Sequence, residues 1–132
     1  MSKLWAHRSD HKVTYCSKLD SKGERLLCAY AKIRGVKEKK LILSILVNDP
    51  IFWDVSVDGP APLFLHVINA DPNYDAIWPE ALAQLASYAR KKGYPRILCT
   101  GKSYTHSEEA VENHLAAAGY DVSHYRSYTL NL

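Results

Sequence analysis

The sequence predicts one α/β domain with a mixed sheet, in which antiparallel hairpins come first and a β-α-β-α-β series follows. Three observations predict it. Apolar and polar residues alternate in several stretches of the first 58 residues, whereas apolar residues recur every three or four positions in two later stretches. A chain of 132 residues that is 47% apolar is also large enough for a core of its own. We therefore treat residues 1–132 as a single domain with an antiparallel half, 1–58, and a second half, 63–132.

Strand patterns fill the first half. Residues 11–19 and 24–33 alternate on either side of a turn at residues 20–23, which indicates a hairpin. Residues 41–47 form an almost continuous apolar run that is short enough for a buried central strand. Residues 52–57 alternate again and predict a further strand.

Helices enter in the second half. Residues 63–68 are mostly apolar and predict a strand, and residues 79–92 then show helical spacing, with cations in the last turn and Gly93 after it. A short strand at 96–100, a helix at 107–118 and a closing strand at 120–132, either continuous or broken near His124, complete the series. Strand-helix-strand units predict a partly parallel sheet with right-handed crossovers.

The cysteine spacing and the N-terminal residues predict a cytoplasmic protein. The three cysteines, Cys16, Cys28 and Cys99, are odd in number and widely spaced, so we expect reduced cysteines in the core and neither a disulfide framework nor a metal site. Residues 1–8 lack the apolar region of a secretory signal, and no apolar run reaches 18 residues. We therefore expect a cytoplasmic protein without a membrane-spanning segment.

The charge is unevenly distributed. Residues 1–40 contain eleven Lys or Arg and four Asp or Glu, a net charge of +7, whereas the other 92 residues carry −4. A basic lobe on an acidic body favours an anionic partner, either nucleic acid or an acidic protein. The alternative is that these cations are the solvated face of exposed hairpins. The predicted contact set is Lys22, Arg25, Lys32, Arg34, Lys37, Lys39 and Lys40.

The second half resembles the GNAT superfamily of N-acetyltransferases. Its strand, Pro72-Asn73-Tyr74, helix, Gly93-Tyr94, strand, helix, Gly119-Tyr120 and final strand follow the order of the acyl-CoA-binding part of that family. The resemblance covers about residues 63–132 and implies a GNAT-like fold.

The resemblance also implies site residues. In the family, backbone groups of the strand before the loop pair with the pantetheine of CoA, which implies Val67, Ile68 and Asn69 here if CoA binds. A tyrosine of the second helix often supplies the acid, and the nearest position is His114, with Tyr104 and His106 in the preceding loop. His66 occupies the position of a possible general base. The alternative interpretation of His114 is a half-buried structural histidine, and that of His66 is a buried strand histidine bonded to backbone.

The family's phosphate-binding loop is nevertheless lost. Aligned from Tyr74, Asp75 replaces an Arg or Gln and Trp78 replaces a glycine, while Pro79 removes an N–H donor. Glu80 adds a second carboxylate, and each carboxylate opposes a phosphate at ~4 Å by up to ~4 kcal/mol at an effective dielectric near 20. The alternative interpretation of Asp75 and Glu80 is ordinary capping or charge at a helix start. We therefore expect no cofactor.

These observations predict a non-catalytic GNAT-like protein that binds an anionic macromolecule through its basic lobe. The alternative is a divergent acyltransferase that holds acetyl-CoA by other contacts, with His66, His114 and Tyr104 as its candidate catalytic residues. A further alternative is self-association into a homodimer through exposed Trp53, exposed Trp78 and the tyrosine-rich closing strand.

Overall fold

We describe the protein from a computed structural model, in which residues 11–33, 37–48, 62–122 and 127–132 are described. Seven strands and two α-helices follow one another in these residues: β1 His11–Leu19, β2 Arg25–Ile33, β3 Lys40–Asn48, β4 Leu63–Ala70, α1 Trp78–Lys91, β5 Arg96–Lys102, α2 Glu108–Ala117, β6 Asp121–Val122 and β7 Tyr128–Asn131. A 3-10 turn, Pro72–Ile77, precedes α1. The predicted strand at 52–57 lies outside the described residues, as does Arg34.

The mixed α/β class is confirmed, and so are most predicted elements. Within the described residues, each predicted strand or helix before residue 120 is present with ends that differ by two residues or fewer. For residues 120–132 the prediction of one continuous strand is wrong, and the alternative of a broken strand is correct. Two strands, β6 and β7, lie there and pair antiparallel with each other. The sequence pattern hides this change of direction because both pieces are short and rich in residues that favour strands.

The β1–β2 hairpin is closed by an aspartate. The Asp20 carboxylate accepts hydrogen bonds from the backbone N–H groups of Lys22 and Glu24, both at 2.8 Å. Gly23 adopts a φ of 80°, which favours glycine. This turn fixes the register of the hairpin, in which β1 and β2 pair without irregularity along their whole length.

The seven strands form one sheet in the order β1-β2-β3-β4-β5-β7-β6. Among the described strands, β4 and β5 are the one parallel pair, and α1 is the crossover that joins them. After β5, α2 leads to β6, which lies two positions beyond β5 in the sheet, and β7 returns between them antiparallel to both. The expected partly parallel sheet is therefore present at one pair of strands.

Both helices cover the same face of the sheet. The Tyr15 hydroxyl of β1 donates to the carbonyl of Ala81 in α1 at 2.7 Å, and the Tyr128 hydroxyl of β7 donates to Glu112 of α2 at 3.3 Å. Two successive right-handed crossovers that advance in the same direction along a sheet place their helices on one side of it. The hydrophobic core lies between this face and the helices.

The helix α1 is anchored by an apolar stripe. Its buried residues recur at helical spacing and are Trp78, Ala81, Leu82, Leu85, Ala86 and Ala89. Arg90 and Lys91 lie in its last turn, and Gly93 follows with a φ of 85°, as the sequence predicts. Neither helix of the described residues has the length and apolar character needed to cross a membrane.

Candidate functional site

The carboxyl ends of the parallel strands β4 and β5 meet at one edge of the sheet, where ligands often bind in α/β proteins. Here the loop after β5 is fastened to the end of β4. The backbone N–H of Ala70 donates to Thr105 Oγ1 at 2.9 Å, and the backbone N–H of Tyr104 donates to Asn69 Oδ1 at 2.9 Å. The loop at 103–107 therefore lies against the last two residues of β4.

A chain of hydrogen bonds links this loop to the turn before α1. His106 Nε2 lies 2.8 Å from the Asp75 carboxylate, and His106 Nδ1 lies 2.9 Å from Thr105 Oγ1. A ring with its proton on Nε2 donates to Asp75 and accepts from the Thr105 hydroxyl, whose oxygen in turn accepts from Ala70 N–H. The His106 side chain is 6% exposed, whereas that of Asp75 is 50% exposed. The chain thus runs from the surface into the end of the sheet.

Aromatic rings pack beside this chain. The rings of Trp78 and His114 are stacked, with centroids 4.4 Å apart and an interplanar angle of 4°. The His106 ring meets the same indole edge-on at 5.5 Å. Burial lowers the pKa of His114, and the positive charge available to His106 acts in the same direction, while Asp75 opposes them. His114 is therefore a neutral packing partner of Trp78.

These contacts occupy the start of α1, where the GNAT resemblance predicts a degenerate phosphate loop. The described groups there are the Asp75 carboxylate, the indole of Trp78 and Glu80 in the first turn of the helix. Asp75 is not a helix cap, because its carboxylate bonds His106; the cap of the preceding 3-10 turn is Asp71. Two carboxylates and a buried indole do not fit a pyrophosphate.

The residues implied for CoA and catalysis differ in their burial and in their contacts. Val67 and Ile68 are buried, and the side chain of Asn69 bonds the backbone of Tyr104. Tyr104 itself is 75% exposed. His66 is half-buried in β4, and its Nδ1 has no hydrogen-bond partner among the described groups, so the expected bond to backbone is not made at that atom.

Trp78 differs from the expectation that it is exposed at an interface. Its exposed fraction is 1%, and it is the largest fully buried side chain among the described residues. The expectation was wrong because the turn at 72–77 directs the start of α1 into the core, so the indole packs beneath the 103–107 loop. Trp53, the other expected interface residue, lies outside the described residues.

Four lysines of the predicted contact set lie at the end of the sheet where the carboxyl end of β4 is found. Lys32 is near the end of β2, and Lys37, Lys39 and Lys40 lead into β3; all are exposed. Lys12 of β1 is the direct cross-strand partner of Lys32. Asp71 N–H donates to the Ile42 carbonyl at 3.1 Å, which joins this edge to the end of β4. We call the five lysines at this end of the sheet, Lys12, Lys32, Lys37, Lys39 and Lys40, the basic end. Lys40 is the register partner of Ala31 and therefore lies on the other face from Lys12 and Lys32.

The remaining described members of the predicted set are at the opposite end of the hairpin. Lys22 lies in the β1–β2 turn and Arg25 begins β2, and both are exposed. Strands of nine residues separate the two groups by roughly 25 Å at ~3.3 Å per residue. The structure therefore divides the predicted contact set into two groups.

Sequence reasoning missed two pairings. Asp75 and His106 are 31 residues apart, and no local pattern signals their contact. The Lys12 and Lys32 pairing follows from the register of the hairpin, which the turn at 20–23 and the alternation on both sides could have given. Lys12 was counted in the basic lobe but not in the contact set.

The described residues define a mixed α/β protein with a seven-stranded, mostly antiparallel sheet and two helices on one face. In comparison with known proteins, no protein-family model, no curated protein and no solved structure matches the chain. Among the described residues, no group of three His, Cys, Asp or Glu side chains is placed to hold a metal ion.

Proposed function

We propose that this chain is a GNAT-like protein that does not use acyl-CoA and binds an anionic macromolecule, nucleic acid or an acidic protein, through its basic end. The observation that carries the proposal is the direct cross-strand pairing of Lys12 with Lys32, with three further exposed lysines at the same end of the sheet. Nucleic acid is the partner we favour, because a regular row of phosphates matches several lysines at one edge.

Like charges that face each other across two strands destabilise a sheet, by an amount on the order of 0.2–1 kcal/mol. Within the described part of the chain, no carboxylate forms an ion pair with any of the five lysines of the basic end. A bound anion removes this repulsion. The arrangement therefore favours the bound state over the free state in electrostatic terms.

The GNAT-like part of the proposal is supported by the order of the elements after residue 63. Strand, helix, strand, helix and strand follow one another as the resemblance implies, and Gly93-Tyr94 and Gly119-Tyr120 each follow a helix. Against CoA as a ligand are the Asp75–His106 bond and the burial of Trp78 at the start of α1. These contacts place a carboxylate and a buried indole at the helix start, and neither group suits a pyrophosphate.

The test is binding of a labelled DNA duplex and a labelled single-stranded RNA, followed by fluorescence anisotropy over a range of salt concentrations. We expect the logarithm of the affinity to fall linearly with the logarithm of salt, with a slope of about −0.9 per phosphate contacted on the duplex. The double variant Lys12→Gln/Lys32→Gln should reduce that slope by about 2.

The matched control is Arg90→Gln/Lys91→Gln, which removes the same net charge from the exposed last turn of α1. It should bind like the unaltered protein. Absence of binding to both the duplex and the RNA excludes nucleic acid as the partner, and an acidic protein is then the ligand to test. Equal loss in both double variants contradicts the proposal, because it shows that net charge and not the basic end governs binding.

The divergent acyltransferase is tested on the same protein with acetyl-CoA. A ligand at a hundred times its dissociation constant stabilises the folded state by ~2.7 kcal/mol. We expect no change of the melting temperature at millimolar acetyl-CoA. A rise of the melting temperature would show that the protein binds acetyl-CoA and would contradict this part of the proposal.

A further inference from the structure

Two cysteines face each other across the first hairpin. Cys16 of β1 and Cys28 of β2 are direct register partners in the antiparallel pair. The Cα atoms of such partners are about 4.5 or 5.5 Å apart, depending on the hydrogen-bonding pattern. Both values fall in the range of about 4.4–6.8 Å that a disulfide spans. Both thiols are free in this structure.

The pair lies on the face of the sheet that is opposite to the helices. Tyr15 contacts α1, so its neighbour Cys16 points to the other face, since successive residues of a strand alternate. Cys16 is half-buried, while Cys28 is 5% exposed. A reagent from solution therefore reaches Cys16 first, and Cys28 is the group that lies directly beside it.

The side chain of Lys18 lies across the Cys16 and Cys28 pair. Lys18 is two residues after Cys16 on its strand, and Tyr30 is two residues after Cys28 on the other. The Lys18 ammonium donates to the Tyr30 hydroxyl and lies 4.9 Å from the centre of its ring, so its side chain spans the hairpin diagonally over the cysteine row. Burial raises the pKa of the Cys28 thiol, and the Lys18 charge opposes that rise.

We propose that Cys16 and Cys28 are a redox-active dithiol that low-molecular-weight disulfides oxidise to an intramolecular disulfide. This inference is independent of the anionic partner proposed above. It uses the placement of two thiols, their unequal access and a neighbouring cation, which are the features of an attacking and a resolving cysteine.

The reaction balances in two exchange steps. The Cys16 thiolate attacks one sulfur of the small disulfide, which forms a mixed disulfide and releases one small thiolate. The Cys28 thiolate then attacks Sγ of Cys16, which forms the protein disulfide and releases the second small thiolate. The two protons from the cysteines pass to the two released thiolates. The protein loses two electrons, and the small disulfide gains them.

The experiment treats the folded full chain with glutathione disulfide, blocks the remaining thiols and digests the protein with trypsin. Cleavage after Lys12, Lys18, Arg25 and Lys32 places Cys16 in peptide 13–18 and Cys28 in peptide 26–32. We expect these two peptides to be joined, with a mass two hydrogens below their sum and sensitive to a reductant. Cys99, which is 2% exposed in β5, should be recovered as a blocked or free thiol.

Variants test the roles of the groups. Cys99→Ser should form the link as the unaltered chain does, whereas Cys16→Ser should form no link and leave Cys28 unmodified in the folded state. Cys28→Ser should stop at the mixed disulfide on Cys16. Lys18→Met should slow the link about threefold, because it removes the cation that opposes the raised pKa of the Cys28 thiol, and higher nucleophilicity only partly offsets this. Lys22→Met, in the exposed turn, is its control and should leave the rate unchanged.

Two results overturn the proposal. One is a mixed disulfide that persists on Cys16 while Cys28 is intact, because the facing thiol then fails to resolve it. The other is a link that includes Cys99 or joins two chains in place of the link between peptides 13–18 and 26–32.

Discussion

The carboxylate of Asp75 lies 2.8 Å from Nε2 of His106, and this bond holds the turn before α1 against the loop after β5. In the GNAT resemblance, residue 75 is the place of an Arg or Gln that belongs to a phosphate loop. Here the same position serves an internal contact. The edge of the sheet where the two parallel strands end is thereby closed by the protein's own side chains, Thr105, His106 and Trp78 among them.

The first prediction concerns Thr105, which joins His106 to the end of β4. Thr105→Val removes the oxygen that accepts from Ala70 N–H and the partner of His106 Nδ1. We expect a loss of ~1–3 kcal/mol in the free energy of unfolding, measured with urea, because polar groups lose their partners. Thr105→Ser keeps the hydroxyl and should lose ~1 kcal/mol or less. Equal losses in the two variants contradict the role of the hydroxyl.

The second prediction concerns the buried indole of Trp78. Trp78→Ala should lower the free energy of unfolding by ~3–5 kcal/mol, because removal of a large side chain leaves a cavity next to His114. Trp78→Phe keeps a ring in the stack and removes an indole N–H that has no partner among the described groups, so we expect a cost of only ~1–2 kcal/mol. Urea unfolding measures both. A phenylalanine variant as unstable as the alanine variant contradicts the stacking account.

The third prediction concerns pH. Burial lowers the folded-state pKa of His114 below its unfolded value of about 6.5, so the unfolded chain binds more protons between these two pKa values. The contribution of His114 to stability is therefore present above the unfolded pKa and is lost as the pH falls through the folded pKa.

The variant His114→Phe keeps the stack on Trp78 and removes the titration. The free energy of unfolding of the unaltered chain should fall relative to that of the variant as the pH is lowered from about 8 to 5. Asp75 and His106 are the charged groups that act on His114, and they are unchanged in the variant. A constant difference between the two proteins over this range contradicts the prediction.

The fourth prediction concerns Gly101, at the end of β5. Its φ is 74°, and a Cβ there overlaps the ring of Tyr128, which is 3% exposed. Gly101→Ala should lower the free energy of unfolding by ~1–2 kcal/mol because of left-handed backbone strain, and by ~1–3 kcal/mol more because of the overlap with Tyr128. Gly93→Ala is the control, because its φ is 85° and its added Cβ meets nothing within 4 Å. Similar losses at both glycines contradict the close contact with Tyr128.

Local pattern was enough to predict most of the elements in the described residues. The hairpin of β1 and β2 is specified by alternation and by the turn at 20–23, and α1 by its apolar stripe and by Gly93. These signals act between neighbours in the chain, so a single sequence contains them. The division of the closing segment into β6 and β7 depends on where β7 pairs, which alternation does not encode.

The candidate site was harder to predict because its contacts are distant in sequence. The bond between Asp75 and His106 and the stack of Trp78 on His114 depend on two loops that meet only in the folded chain. The resemblance to GNAT proteins predicted an altered phosphate loop, but the sequence did not indicate that Trp78 is buried. The charge of the basic lobe was visible from composition, whereas its division between two ends of a hairpin required the strand register.

The most direct test of the central claim is one substitution, Lys32→Glu, measured for stability and for binding. The substitution places a carboxylate opposite Lys12, so the free energy of unfolding should rise by ~0.2–1 kcal/mol. Binding of the labelled duplex should weaken, and its salt slope should fall by about 1 or more. A more stable protein that binds less well is the predicted result. Unchanged affinity and salt slope in a folded variant would contradict the claim that the basic end is the binding surface.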